Sequence, residues 1–245
     1  MKKETTKQMG EQVFGVHSVI ELLTAKRRKV ISIYTTKPTP KAWPSIEKLL
    51  PKYPINIQYV DREVLTKMTG TTDHQGILAW AQPYPFRKQF FDKKTSPFLI
   101  MLDGVQDTRN VGAILRSAYC TGADGVIMTK KNSALLSAAA HKSSAGLAEH
   151  LQIYLAASPE SAVQELKQAG YTIYLATLDG TDATKCTFEK PLCMVVGGEG
   201  FGISKTIYHA GTHITLPQRT ADISYNVSVA AGILLFIVAT QTKSV

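Results

Sequence analysis

The sequence predicts an α/β protein in two parts: a small α/β domain, then a larger domain built on a parallel sheet. Three observations predict it. From Pro97 onward, short apolar runs alternate with helical patterns, as in a parallel sheet covered on both faces. Over the first third a smaller set of helical and strand-like patterns alternates in the same way. Charge divides along the same line. The chain of 245 residues has a net charge of +9; residues 1–86 carry 13 Lys/Arg against 7 Asp/Glu, 87–96 carry 4 against 1, and 97–245 carry 11 against 11. A basic module joined to a neutral one implies a polyanionic partner for the first part.

The elements follow in order. Residues 1–10 are polar and lack the apolar run of a secretory signal, so they read as a flexible tail. "VFGVHSVIELLTA" has apolar residues at helical spacing, "VISIYTT" alternates as a strand, and the Pro-rich "KPTPKAWP" reads as a loop. "INIQYV" is a second strand, "DREVLTKMT" a short helix with Asp61 as its N-cap, and "GILAWAQ" a closing strand. These make a domain over 11–86, with Trp43 and Trp80 in its core. The charged stretch 87–96 reads as a linker.

The second domain, 97–245, has strand-like runs at "FLIMLD", "GVIMT", "LQIYLA", "TIYLAT", "LCMVVG" and "HITLP". "PESAVQELKQAG" is a helix capped by Ser158 with Gly170 beyond its end. "DTRNVGAILRSA" (107–118) reads as a helix with almost no polar face. On that reading Arg116 is a buried charge, too costly to be kept for packing alone. "VSVAAGILLFIVA" (227–239) is too short to span a membrane and predicts a helix apolar on all sides, which needs cover on all sides. Cys120, Cys186 and Cys193 form no CxxC pair and read as reduced thiols of a cytoplasmic protein.

Ligands of such sheets bind beyond the carboxyl ends of the strands. Three post-strand loops stand there: "DGVQDTRN", "GGEGFGIS" (197–204) and "QRTADISYNVS" (218–228). The second is neither GxGxxG nor a Walker A loop. Its glycines still imply backbone that turns tightly or meets a ligand closely. His209 and His213 have the spacing of a metal pair but no third ligand nearby, and Asp103 has no second carboxylate near it, so no metal is expected. No GxSxG elbow is present. The loops offer an Asn, an Arg, a Glu, a Ser and another Asn. Such a set positions and hydrogen-bonds, and lacks an attacking nucleophile. Group transfer between two bound partners, with the electrophile carried by a cofactor, fits it.

"DTRNVGAILRSA", "VVGGEGFGIS" and "LPQRTADISYNVSVAAGI" resemble, in order and spacing, the three motifs of the SpoU/TrmH family. This family comprises the S-adenosylmethionine-dependent RNA ribose 2′-O-methyltransferases of the SPOUT class. "VFGVHSVIELL" and "TDHQGILA" resemble the substrate-binding domain that precedes the catalytic domain in many members. The full-length similarity is closest to the branch that methylates a guanosine of large-subunit ribosomal RNA. A transfer RNA ribose methyltransferase, or a non-catalytic RNA-binding protein of the same fold, are the alternatives.

The resemblance implies a catalytic domain with a C-terminal trefoil knot, against the general rule that chains do not knot, and a homodimer. It implies S-adenosylmethionine as cofactor and RNA as substrate. Carried over by position, the polar motif residues are Asn110, Arg116, Glu199, Ser224 and Asn226. Cofactor contacts fall on Gly197, Leu216, Tyr225, Thr177 and Gly200. Gly198, Gln218, Thr220 and Tyr225 depart from the family's usual residues. The expected mechanism gives Arg116 the RNA phosphate, the ribose and the developing negative charge, with Gly112 leaving room on the same face. Asn110, Ser224 and Asn226 orient it or the ribose, and Glu199 joins the motif loops. Helix 226–241 and the helix after Asn110 are expected near a two-fold axis, with Arg109 at the partner's site.

Overall fold

The computed structural model describes residues 10–220 and 223–245. The tail expected over 1–10 lies, but for Gly10, outside the described residues, as do Ala221 and Asp222 of the third motif. The chain divides into two compact units between Pro85 and Phe86.

The first unit runs β1 (Glu11–Phe14), α1 (Val16–Ala25), β2 (Val30–Thr35), α2 (Trp43–Leu49), β3 (Asn56–Tyr59), α3 (Arg62–Thr69) and β4 (Ile77–Ala81). Its sheet has the order β1-β4-β2-β3, with β2 and β3 parallel and β4 antiparallel to both β1 and β2. Val13, Leu22, Ile33, Ile46 and Ile77 form its core.

Four local expectations need correction or qualification here. "VF" belongs to strand β1 and not to the helix; Gly15, at φ 91, makes the break between them, a conformation that glycine adopts without strain. The segment expected as a loop runs into α2, because Pro44 in the first turn lacks only an N–H that would be unpaired there. Trp43 sits in the core, while Trp80 is only half-buried. Asp61 stands at the N-cap of α3, but its side chain makes no capping bond.

The second unit runs β5 (Phe98–Asp103), α4 (Thr108–Cys120), β6 (Gly125–Thr129), α5 (Ala138–Ser143), β7 (Ile153–Ala156), α6 (Pro159–Gln168), β8 (Thr172–Asp182), β9 (Leu192–Gly197), β10 (Thr212–Thr215) and α7 (Val227–Gln241). Its six strands lie in the order β10-β8-β9-β5-β6-β7 and every pairing is parallel. β5 and β6 are buried throughout, as their unbroken apolar runs require. Ser158 caps α6 by accepting from the Ser161 backbone N–H at 3.3 Å, and Gly170 follows it at φ 77.

The segment 87–96 contains no helix or strand, yet it does not behave as a linker. Phe91 is buried among Leu99, Ile127 and Leu166, with Phe90 packed beside it. A methyl group on Gly125 would collide with the Phe91 ring, so the glycine that opens β6 makes the seat for it. Charge at the flanks hid two aromatic anchors of the core.

Helix α4 is amphipathic, contrary to the expectation of a buried charge. Val111, Ile114, Leu115 and Ala118 face inward, while Arg116, Tyr119 and Cys120 are exposed. The inward set has the i, i+3, i+4, i+7 phase of a half-buried helix; a high apolar count concealed that phase. Gly112 does not clear space for Arg116 either. A Cβ there would strike the Ala140 carbonyl and Ser143, so the glycine lets α5 pack against α4.

Helix α7 buries Ala231, Leu234, Leu235, Val238 and Ala239 but leaves Val229, Ile233 and Phe236 exposed. Within one chain it is covered on one side only.

Candidate active site

The three motif loops meet beyond the carboxyl ends of β5, β8, β9 and β10. β5 ends in Asp103, a buried carboxylate that accepts the Ser204 backbone N–H at 2.7 Å and its hydroxyl at 2.8 Å. Burial raises its pKa, and the two Ser204 bonds partly offset that. The pair ties the end of the second motif loop to the strand that leads into the first. This residue was not expected in the site; its signal was a lone acid closing an apolar strand.

Asp107 then caps α4, accepting the Arg109 backbone N–H at 2.8 Å. Its carboxylate also pairs with the Arg109 guanidinium at 3.0 Å, which lowers its pKa. One residue further, the Asn110 amide donates to Glu199 of the second motif loop. That loop packs backbone on backbone. A Cβ on Gly197 would meet the Gly202 carbonyl carbon and one on Gly198 the Gly104 oxygen. Gly198 and Gly202 are bridged by a 3.0 Å hydrogen bond. Glycine is therefore required for close approach at 197 and 198, whereas Gly200 faces open space.

On the other flank, β8 brings Thr177 to 3.3 Å from His213 Nδ1. The opposite ring nitrogen, 2.6 Å from the Tyr208 carbonyl, carries the proton and donates there. His213 is thus a fixed internal strut, held edge-on to the Tyr208 ring at 4.3 Å between centroids. Tyr208 donates to Asp179 at 2.9 Å, and this bond is the main cause that lowers the Asp179 pKa. Among the described residues no group of three His, Cys, Asp or Glu is placed to hold a metal.

The third motif closes the site. Tyr225 donates its hydroxyl to the Pro217 carbonyl at 3.3 Å. Asn226 caps α7, accepting from the Ser228 backbone N–H at 2.9 Å and its hydroxyl at 2.6 Å. The loops wall a cavity of about 810 Å³. Gly197, Glu199 and Gly200 line it from the second motif, Leu216, Ser224, Tyr225 and Asn226 from the third, and Thr177 from β8. Asn110 joins it through Glu199.

Arg116 stands apart. It lies on neither cavity described here and makes no hydrogen bond or ion pair with another described residue. Six residues along a helix place it about 9 Å further on and roughly 120° round from Asn110. A second cavity of about 560 Å³ shares the 198–203 wall with the first.

The family model described as the SpoU rRNA methylase family matches residues 97–236. The chain belongs to this family. A second model, RNA 2′-O ribose methyltransferase substrate binding, matches residues 12–87. The 23S rRNA (guanosine-2′-O-)-methyltransferase RlmB of Haemophilus influenzae is 31% identical over 245 residues, covering 95% of this chain and 98% of its own. A solved RNA 2′-O ribose methyltransferase superposes with a TM-score of 0.82 at 22% identity, covering 98% of this chain and 92% of its own. An AdoMet-bound rRNA methyltransferase from Sinorhizobium meliloti gives 0.79 at 22%, covering 98% and 90%. Both structures share the fold of this SPOUT methyltransferase, whose cofactor is S-adenosylmethionine.

The larger cavity suits that cofactor. Its volume is that of a site for a drug-sized ligand. Val196, Ile214, Leu216 and Leu234 offer an apolar bed, while the Asp179 and Glu199 carboxylates complement a cationic sulfonium.

Proposed function

We propose that this protein methylates the ribose 2′-hydroxyl of a guanosine in large-subunit ribosomal RNA, in the cytoplasm. The observation that carries this is the convergence of all three motifs. Ser224 and Asn226 of the third line one cavity with Glu199 of the second, and Glu199 holds Asn110 of the first. S-adenosylmethionine, when bound, supplies a methyl group activated by its sulfonium. Gly197, Leu216 and Tyr225 hold it, largely through backbone, with Thr177 and Gly200 at its edge. Glu199 and Asn110 fix the loop beside it, and Ser224 and Asn226 orient the ribose hydroxyl toward it. Alignment of this kind contributes on the order of 7–11 kcal/mol to lowering a barrier.

Arg116 is a fork of donors that stays protonated. Its role is to bind the neighbouring phosphate and stabilise the negative charge that develops on the ribose oxygen. The exposed apolar stripe of α7, beside α4 with its two solvent-facing arginines, supports a homodimer paired through these helices. Such a pairing covers Ile233 and Phe236 and turns Arg109 and Arg116 toward the partner's site. A trefoil knot formed by the C-terminal motif loops completes the reading.

The test is methyl transfer from tritiated S-adenosylmethionine to large-subunit ribosomal RNA, with the modified position mapped. Label confined to transfer RNA would favour the tRNA alternative, and no label in any RNA would favour a binding protein. The basic first unit with its substrate-binding family match favours the ribosomal reading.

A further inference from the structure

We propose that the second cavity beside the motif loop receives the target base, with Phe201 as its stacking surface and Glu160 as the residue that selects guanine. This rests on the methyltransferase reading above. The cavity shares residues 198–203 with the cofactor cavity, so a base seated in one keeps its ribose next to the other. Phe201 lines both and is 97% exposed. Its ring sits between Gly200 and Gly202, neither of which has a neighbour within reach of a Cβ. An aromatic ring left wholly in water at a loop tip is the arrangement that base stacking rewards.

The rest of the wall comes from the loops after β5, β6 and β7. These bring Gln106, Lys131, Asn132 and Glu160 to the cavity. Glu160 is exposed in the first turn of α6. The neighbouring Ser158 and Thr206 hydroxyls, with the Lys131 cation, lower its pKa to about 2. It is therefore a carboxylate, an acceptor only, at neutral pH.

Guanine alone among the four bases presents two adjacent donors, N1–H and the 2-amino group, to the two oxygens of one carboxylate. Adenine and cytosine place a ring lone pair beside their amino group, and uracil flanks its single N–H with carbonyl oxygens. Each of these turns negative charge toward Glu160. Bases read in this way are unpaired and splayed from the strand. Lys131 and Lys205, on the same wall, supply cations for the flanking phosphates.

The experiment compares methyl transfer to two fragments of large-subunit ribosomal RNA, one with guanosine and one with inosine at the target position. Inosine lacks only the 2-amino donor. The wild-type chain should favour guanosine in kcat/KM by about tenfold or more, the scale of one hydrogen bond to a charged group. Glu160→Gln should abolish most of that preference, because its amide N–H₂ opposes the 2-amino group. Its affinity for S-adenosylmethionine should stay unchanged, since Glu160 is off the cofactor cavity wall. Phe201→Ala should raise KM for the guanosine RNA roughly tenfold, and Phe201→Tyr should restore it. A wild type indifferent to inosine, or a Glu160→Gln variant that keeps the preference, would overturn the assignment of Glu160. An unchanged KM in Phe201→Ala would overturn that of Phe201. A wild type that methylates no guanosine RNA would instead overturn the methyltransferase reading, and the base pocket with it.

Discussion

Arg116 projects from the exposed face of α4, bonded to no described residue. On the proposed reading its value lies in the reaction and not in the fold. Arg116→Ala should therefore lower turnover by roughly a hundredfold, the scale of one lost charge-stabilising donor. Thermal stability and cofactor affinity should hold. Arg116→Lys should recover little, because an ammonium lacks the planar fork; near-normal turnover in either variant would remove the arginine from the mechanism. Asp103 is the opposite case, buried and bonded twice to Ser204. Asp103→Ala leaves the Ser204 N–H without its acceptor and should cost roughly 1–3 kcal/mol of stability. Burial raises the Asp103 pKa in the folded chain above its ordinary 3.8. The folded state then binds the proton more tightly than the unfolded one, and wild-type stability falls as pH rises through that window. Asp103→Asn, which cannot ionise, should gain stability relative to wild type over the same window. Urea denaturation across acidic pH measures this, and a flat difference would count against it.

Phe90 and Phe91 decide where the second unit begins. Residues 86–245 should unfold cooperatively as an isolated chain. Residues 97–245, stripped of both rings, should be markedly less stable, since deleting one buried Phe side chain alone costs about 3–5 kcal/mol. Equal melting temperatures for the two lengths would contradict this account of the segment. The first unit contributes in a different way, through charge. Removing it takes away +6 of the net charge of +9, so residues 86–245 should bind RNA more weakly and with a shallower dependence on salt. Equal salt slopes with and without the unit would place RNA binding elsewhere.

At the level of the whole molecule, α7 exposes Val229, Ile233 and Phe236 at i, i+4 and i+7, a stripe along one side of the helix. Burying a side chain of Phe size is worth about 1.5–3 kcal/mol, so three on a two-fold contact count twice. Phe236→Glu should convert the proposed homodimer to monomer in light scattering while each chain stays folded. If Arg109 and Arg116 serve the partner's site, activity should fall with the dimer. A monomeric, fully active wild type would end the proposal.

Much of this was legible in the chain itself. The inner strands β5, β6 and β9 were readable as apolar runs, because a strand buried on both faces has few polar residues to blur it; β8 continues past its apolar run through Asp179 to Asp182, and that extension was not readable. The Ser158 cap was readable because capping is local chemistry. The three motifs named the family because their glycines and polar residues recur in fixed order. What stayed hidden depends on partners distant in sequence. β1 is fixed by pairing with β4, where Phe14 lies opposite Leu78, 64 residues on, and no window around Phe14 contains that partner. Arg116 was misread as buried because its exposure depends on which side of α4 meets the sheet and α5. Asp103 and Ser204, 101 residues apart, meet only when β5 and β9 lie side by side. The sequence by itself determined the alternation of elements, the family and the residue types available for the reaction. Only the tertiary structure decided which faces are covered, which charges reach solvent and which loops share a wall, because burial and contact belong to the packed chain and not to its local order.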